Sequence, residues 1–385
     1  MNRRDFLSSS VALAGLGAGC ARRSPAGLPA LPRLTLTPIR AEVERIFRTT
    51  VCLRPFRAAG PRLEVERVGE KNVVHNYGHG GSGWSLSWGS SAIAVEKAMS
   101  MGERDVAVIG CGALGLTSAI TLQRAGARVT IYAKERPPEV RSARATGSWT
   151  PDSRIALTSD AAADFPALWE KMTRTSYHMY QSYLGLAGDP VEWTDQYFLS
   201  DGTSDASGDE GPPGLPFAHY MDRVRDINPR GQELAPGSNP FPTKEARRSS
   251  RLTFNVAAYS RQLIHDFLTE GGRIEAAEFH APSELSRLPQ KVMINATGYG
   301  ARALWKDESI VPVRGQITWL IPQMDAHYGV IYKDVFVLAR RDGIVVQGFG
   351  TRGDMEGYND TNESPDRPQA EAWVRTAGEL FGRMK

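Results

Sequence analysis

The sequence predicts an α/β fold in which a dinucleotide-binding βαβ unit is joined to a second unit built on a mixed β-sheet. Three observations carry this. Residues 105–135, "DVAVIGCGALGLTSAITLQRAGARVTIYAKE", read as strand, Gly-rich turn, apolar helix and strand. "VPVRGQITWLI" (311–321) and "DVFVLARRDGIVVQGFG" (334–350) read as sheet strands. A chain of 385 residues, 41% hydrophobic and 23% charged, can bury one large core or two cooperating ones. The balance of 46 Lys+Arg against 43 Asp+Glu leaves +3, and no basic run is interleaved with aromatics, so nothing indicates a nucleic-acid partner.

Taken in order, "MNRRDFLSSSVALAGLGAGC" (1–20) pairs Arg3-Arg4 with a short apolar stretch of small residues, the pattern of a twin-arginine export signal. The apolar part is shorter than the ~20 residues that span a bilayer. Leu16-Gly17-Ala18-Gly19-Cys20 is similar to a lipoprotein cleavage box, although the Leu is usually one position nearer the Cys; Cys20 is a candidate lipid anchor. The expected location is therefore periplasmic, reached by the twin-arginine route in the folded state, with an anchor at Cys20. Cys52 and Cys111 are the remaining thiols, too few for a disulfide framework. Residues 21–37 are rich in Pro and small residues and read as a tether.

"VVHNYGHGGSGWSLSWG" (73–89) follows. His75 and His79 stand four apart, but Asn-Tyr-Gly between them breaks the helix that a metal pair needs, and no Cys or carboxylate cluster is near in sequence, so no metal is expected. Gly78, Gly80, Gly81 and Gly83 read instead as a backbone nest for an anion or ring system, ahead of a helix from about Trp88 to Met101.

In the βαβ unit the spacing is G-x-G-x-x-G. Gly110 permits the sharp turn, Gly112 lets backbone N–H groups approach a pyrophosphate at the helix N-terminus, and Gly115 lets helix and strand pack closely, a Rossmann-type arrangement. Beyond residue 151, "ADFPALWEKMTRTSYHMYQSYLGL" has the apolar spacing of a core helix, and residues 199–216 form a polar Gly/Pro-rich loop or insertion. "NVAAYSRQLIHDFLTEGGRIEAAEF" reads as helix, Gly-Gly stop and strand. "QKVMINATGYGARAL" is a buried strand ending at Thr297-Gly298, and the tail is a helix capped near Ser364 or Asp366.

Several of these segments together resemble the D-amino acid oxidase family of FAD enzymes. The resemblance lies in "VVHNYGHGGSGWSLSWG", in "CLRPFRAAGPRLEVE" (52–66) as the arginine-bearing strand, and in "VIGCGALGL" as the FAD fingerprint. It continues in "YAKERPPEVRSARATGSWTP" (132–151) as the flavin-edge segment, and in "VMINATGYGARAL" with "VPVRGQI". In that family the fingerprint comes first and the arginine strand with the "HNYGHGG" loop comes last. Here the order is reversed, which reads as a circular permutation closed by the link "AMSMGERD" (98–105). The implied organisation is signal 1–20, tether 21–37, substrate-arginine segment 38–70, FAD-binding core 71–154, substrate segment 155–250, FAD-binding continuation 251–310, and substrate sheet with terminal helix 311–385.

The resemblance implies the following roles. Gly110, Gly112 and Gly115 hold the FAD pyrophosphate; Gly80, Gly81, Ser82, Gly83, Trp84 and Ser85 line the flavin's pyrimidine side and the phosphate chain. Arg141 and Ser142 stand near the pyrophosphate, and the flavin-edge loop spans Ala145 to Trp149 and includes Gly147. Lys134 occupies the place of the ribose-binding acid, with Glu135 next in line to serve. Arg54 grips the substrate carboxylate with its planar fork, the Gly81 carbonyl accepts a bond from the amine, and Tyr332 is the first of two active-site tyrosines, the second being replaced by Phe336. The implied reaction is oxidative deamination of a D-amino acid to keto acid, ammonia and hydrogen peroxide, with oxygen or another electron acceptor. An exported flavin dehydrogenase of an amino acid or secondary amine with a non-oxygen acceptor, and a non-catalytic flavoprotein, are the alternatives.

Overall fold

The computed structural model describes residues 34–202, 214–350 and 352–385. The export signal, Cys20 and most of the tether lie outside the described residues. Leu34 to Lys385 belong to one body that contains two sheets.

Among the described residues there are fourteen strands: β1 (Ile46–Phe56), β2 (Val65–Val68), β3 (Lys71–His75), β4 (Asp105–Ile109), β5 (Arg128–Ala133), β6 (Val191–Ser200), β7 (Gln232–Glu233), β8 (Glu245–Phe254), β9 (Arg273–Ala276), β10 (Val292–Asn295), β11 (Val311–Leu320), β12 (Tyr328–Tyr332), β13 (Val335–Arg340) and β14 (Gly343–Gly348). The helices are α1 (Gly83–Met99), α2 (Ala113–Arg124), α3 (Phe165–Gln181), α4 (Val256–Thr269), the short α5 (Ala301–Leu304) and α6 (Arg367–Phe381).

The smaller sheet has the order β2-β3-β10-β4-β5-β9, parallel from β3 to β9 with β2 antiparallel at its edge. Its central strands are continuous apolar runs because both faces are covered: Val106, Ala107 and Val108 of β4 and Val292, Met293 and Ile294 of β10 are fully buried. The larger sheet has the order β1-β11-β14-β13-β12-β6-β8-β7 and is antiparallel except where β12 meets β6. β8 runs across the boundary that the sequence suggested at residue 250, so the smaller sheet's share of this region begins with α4. The terminal helix α6 is capped by Asp366, whose side chain accepts from the Gln369 N–H at 2.9 Å.

One helix departs from expectation. α1 begins at Gly83 rather than near Trp88, although Gly and Ser disfavour helix interiors. Tertiary partners override that propensity. Ser90 Oγ donates to Asn76 Oδ1 at 2.6 Å, Ser91 Oγ lies 2.9 Å from Thr117 Oγ1, and the Gly89 N–H donates to Ser176 Oγ at 2.8 Å. Small side chains on α1 thus let α2 and α3 approach closely.

Candidate functional site

Two helix N-termini open on one cleft of about 660 Å³ that runs between the sheets. α2 is the helix of the glycine fingerprint. Gly110 has φ +108°, and a Cβ there would stand 2.6 Å from the Ala296 carbonyl oxygen. Gly115 lies behind the turn, against the Gly110 carbonyl, and does not reach the cleft. Gly112 does reach it. α1 presents Gly83, Trp84 and Ser85 to the same space. First-turn N–H groups have no partner within their own helix, so paired N-termini favour an anion such as a pyrophosphate.

The loop from Arg141 stitches the two helices together: the Ala113 N–H donates to Ser142 Oγ at 3.1 Å and Trp84 Nε1 donates to the Ser142 carbonyl at 2.8 Å. One expectation is corrected here. The N–H groups of Gly80 and Gly81 are not a free nest, because they donate to the carbonyls of Pro55 and Ser153 at 2.8 and 2.9 Å; what the two glycines supply is close backbone approach. Arg141 is already paired with both carboxylate oxygens of Glu363, at 2.5 and 2.9 Å, and lies 5.2 Å from the Tyr299 ring.

The flavin-edge loop runs alongside the end of β8. Phe254 N–H donates to the Gly147 carbonyl at 2.6 Å, Trp149 N–H to the Leu252 carbonyl at 3.0 Å, and Thr150 N–H to Ser85 Oγ at 2.8 Å. Gly147 has φ +91° and faces the cleft, whereas Trp149 is buried behind it, 5.8 Å from the Tyr177 ring. Ser82 is likewise one layer back, with its hydroxyl on the Ser153 carbonyl at 3.1 Å. At the other end, past β5, Lys134 pairs with Glu278 at 2.8 Å. Glu135 lines the cleft beside them and has no ion pair among the described residues.

His75 and His79 serve the fold. His75 bonds Glu66 through Nε2 at 2.9 Å and Asn295 through Nδ1 at 3.0 Å. His79 Nε2 lies 2.7 Å from Ser90 Oγ; since that hydroxyl donates to Asn76, the ring carries its proton on Nε2 and leaves Nδ1 bare. Burial pushes the His79 pKa down to about 3. The unfolded chain, with a His near 6.5, binds the proton first as pH falls, so stability is lost on acidification from about pH 6.5 downward. The loss attributable to His79 is about 2 kcal/mol between pH 7 and pH 5. Denaturant titrations at both pH values should show it, and His79→Asn should flatten the difference by that amount.

The cleft's other wall is one face of the larger sheet. Arg54 of β1, Gly315 and Ile317 of β11, Gln347 of β14, Phe336 of β13, Ile331 of β12, Gln196 of β6 and Arg251 of β8 all line it. Arg54 lays its guanidinium over Gly315, where a Cβ would collide with it, and Nη1 donates to the Arg314 carbonyl at 3.3 Å. It has no carboxylate partner among the described residues, and burial depresses its pKa. Arg154 stands close enough to repel it. Burial and then Arg54 push the Arg154 pKa down to about 10, although Asp354 pairs with it at 3.2 Å.

The expected place of Tyr332 is corrected as well. Strand alternation turns Ile331 and Phe336 toward the cleft and Tyr332 away, where its hydroxyl donates to Asp201 at 2.8 Å and accepts from Arg383 at 3.3 Å. Phe336 is stacked on Phe349, ring centroids 6.3 Å apart, in an apolar patch with Ile317 and Ile331. Phe336→Tyr should tighten binding of a carboxylate substrate about two- to tenfold if the hydroxyl reaches it. An unchanged KM would mean that this patch packs only apolar groups. Arg154, Arg251, Gln196 and Gln347 were not anticipated as lining residues.

Glycines that a side chain would obstruct, two converging helix N-termini and an unpaired carboxylate beyond β5 fit a dinucleotide cofactor, and the sheet wall opposite supplies a separate place for substrate. These features define a dinucleotide-binding protein. The family described as FAD dependent oxidoreductase (DAO) matches residues 105–384; the chain belongs to it, and its cofactor is FAD. It is 29% identical over 214 residues to a D-amino-acid oxidase of Rubrobacter xylanophilus (54% of this chain, 57% of that protein). With a D-amino-acid oxidase of Streptomyces coelicolor it shares 28% identity over 225 residues (56% and 59%). The chain thus spans somewhat over half the length of these curated relatives. Among solved structures, iminodiacetate oxidase from Chelativorans sp. BNC1 has the same fold, with a TM-score of 0.51 at 18% identity, covering 72% of this chain and 79% of that one.

Proposed function

We propose that this protein catalyses the FAD-dependent oxidative deamination of D-amino acids to keto acids, ammonia and hydrogen peroxide. The observation that carries this reading is Arg54, a guanidinium on the cleft wall without a carboxylate partner among the described residues, opposite the glycine-lined helix ends. Bound FAD supplies the acceptor for the α-hydrogen and its electrons. The chain's own residues bind and orient. Arg54 takes the α-carboxylate in a two-bond grip, the Gly81 carbonyl receives an N–H of the amine, and Ile317, Ile331, Phe336 and Phe349 keep water from the reacting carbon. No side-chain base is needed, and His79, neutral and engaged with Ser90, is not positioned as one.

The test is a panel of D- and L-amino acids, glycine and sarcosine given anaerobically to the purified holoprotein, followed by admission of air. D-amino acids should bleach the flavin and then yield peroxide. Bleaching without peroxide would indicate another electron acceptor, and no bleaching by any D-amino acid would end this reading.

We further read the chain as circularly permuted. The family match begins at residue 105, yet the block before it supplies β1 to the larger sheet, β3 beside β10 in the smaller one, and α1. α1 ends at Met99 and β4 starts at Asp105, so a short link joins them. Export by the twin-arginine route, in the flavin-loaded state and with Cys20 as lipid anchor, completes the proposal. Replacing Arg3 and Arg4 by Lys should hold active protein in the cytoplasm; unchanged export would refute the signal.

A further inference from the structure

Gln347 is an amide in an apolar row. Val345 and Phe349, two residues to either side of it along the chain, belong to a cluster with Ile317, Trp319, Phe336, Leu338 and Ile331. Phe336 and Gln347 stand directly opposite each other in the β13–β14 ladder, so the amide shares a face with the ring that holds the place of the expected second tyrosine. Both line the cleft. An amide on such a wall is costly unless its groups find partners. The oxygen has one: Thr146 Oγ1, on the flavin-edge loop, donates to Gln347 Oε1 at 2.6 Å. The nitrogen makes no hydrogen bond with any described residue, and with the oxygen turned to Thr146 its two N–H donors point away from that loop. Arg54 is close by. The pairing of β11 with β14 ends at Thr318 and Val346. Past it lies a cavity of about 70 Å³ whose lining includes Arg54, Gly315, Gln347 and Phe349, residues that line the cleft as well. The Arg54 guanidinium lies over Gly315, so guanidinium and amide face a common space.

We propose that Gln347 Nε2 is a second donor to the substrate's α-carboxylate, replacing the tyrosine hydroxyl that Phe336 lacks. This rests on Arg54 as the anchor of that carboxylate. A carboxylate offers about four lone-pair sites, and a two-bond grip by one guanidinium leaves two of them for other donors. A neutral amide suits the place. Arg54 and Arg154 already repel each other, and a third cation would add to that, whereas an amide donates without charge. Thr146 fixes which end of the amide faces the space, so the flavin-edge loop sets the donor's direction.

The experiment follows two carboxylates on the holoenzyme and on Gln347→Leu and Gln347→Glu: D-norvaline, by turnover, and butanoate, by the change it causes in the flavin absorbance band. Gln347→Leu removes the donor and keeps the bulk. It should raise the KM for D-norvaline and the Kd for butanoate at least about tenfold, with FAD content unchanged. Gln347→Glu sets a charge of the same size against the carboxylate and should weaken both further. Butanoate bound equally by the parent and Gln347→Leu would overturn the proposal. So would a loss seen with D-norvaline and not with butanoate, which puts the amide on the amine, or a loss of FAD, which puts it on the cofactor. If no D-amino acid reduces the flavin, the proposed function fails, and butanoate then decides the role of Gln347: weaker binding in the variants supports it, while equal or absent binding in all three proteins refutes it. Should Gln347→Leu not fold, Gln347→Glu decides, and a parent-like affinity for butanoate in that variant overturns the proposal.

Discussion

Gly112→Val is expected to yield a folded, colourless protein. The backbone at residue 112 has φ −84° and ψ −167°, which any residue adopts, and a Cβ there would meet only Ser142 Oγ at 3.2 Å. The apoprotein can therefore accommodate the substitution with a small shift of one hydroxyl. The branched methyls would instead project into the cleft at the α2 N-terminus, where the phosphates must come close to the N–H groups. FAD affinity should fall at least a hundredfold, about 2.8 kcal/mol. Gly115→Ala offers the contrast, since its side chain would strike the Gly110 carbonyl and disturb the turn itself, so it should lower thermal stability as well as flavin content. A yellow Gly112→Val protein with the parent's stoichiometry would remove this turn from the cofactor site.

Arg54→Ala should leave flavin bound and impair carboxylate substrates selectively. Each charge-assisted hydrogen bond to a carboxylate is worth ~1.5–3 kcal/mol, so losing even one bond of the two-bond grip should lower kcat/KM at least about tenfold, and losing both about a hundredfold or more. Arg154 is nearby but held by Asp354 through its Nη2 and by the Asp354 and Gly353 carbonyls through Nε and Nη2, so it is poorly placed to substitute. Arg54→Lys should recover only part of the loss, because an ammonium cannot present two parallel donors. Any amine substrate without a carboxylate should be unaffected, which separates recognition from a general loss of structure.

Much of this was legible in the chain. The βαβ unit is, because its strands are buried on both faces and read as apolar runs, and because the turn's steric demands leave few residues other than Gly possible at Gly110 and Gly115. The "HNYGHGG" segment was legible as a site but not in its details. Whether the Gly80 and Gly81 N–H groups face a ligand depends on the Pro55 and Ser153 carbonyls, far away in sequence or across a loop. Tyr332 was misplaced by a single step of strand alternation: its side chain lies on the face opposite Ile331, and which face meets the cleft depends on the sheet packing rather than on a local motif. Arg251 was illegible for a different reason. "EARRSSRLTF" reads as a solvated strand, and only the pairing of β8 with β6 and the loop at Ser148 turns one of its arginines inward. The start of α1 was missed because serine hydroxyls that disfavour an isolated helix are satisfied here by Asn76, Thr117 and Ser118.

The central claim is that the cleft joins FAD to an amino acid held by Arg54. Its most direct test is the dissociation constant of a D-amino acid, obtained from the concentration dependence of anaerobic flavin bleaching in the parent and in Arg54→Ala. The account predicts a constant at least tenfold higher in the variant, with flavin content unchanged. Equal constants for every carboxylate substrate that bleaches the parent would contradict it.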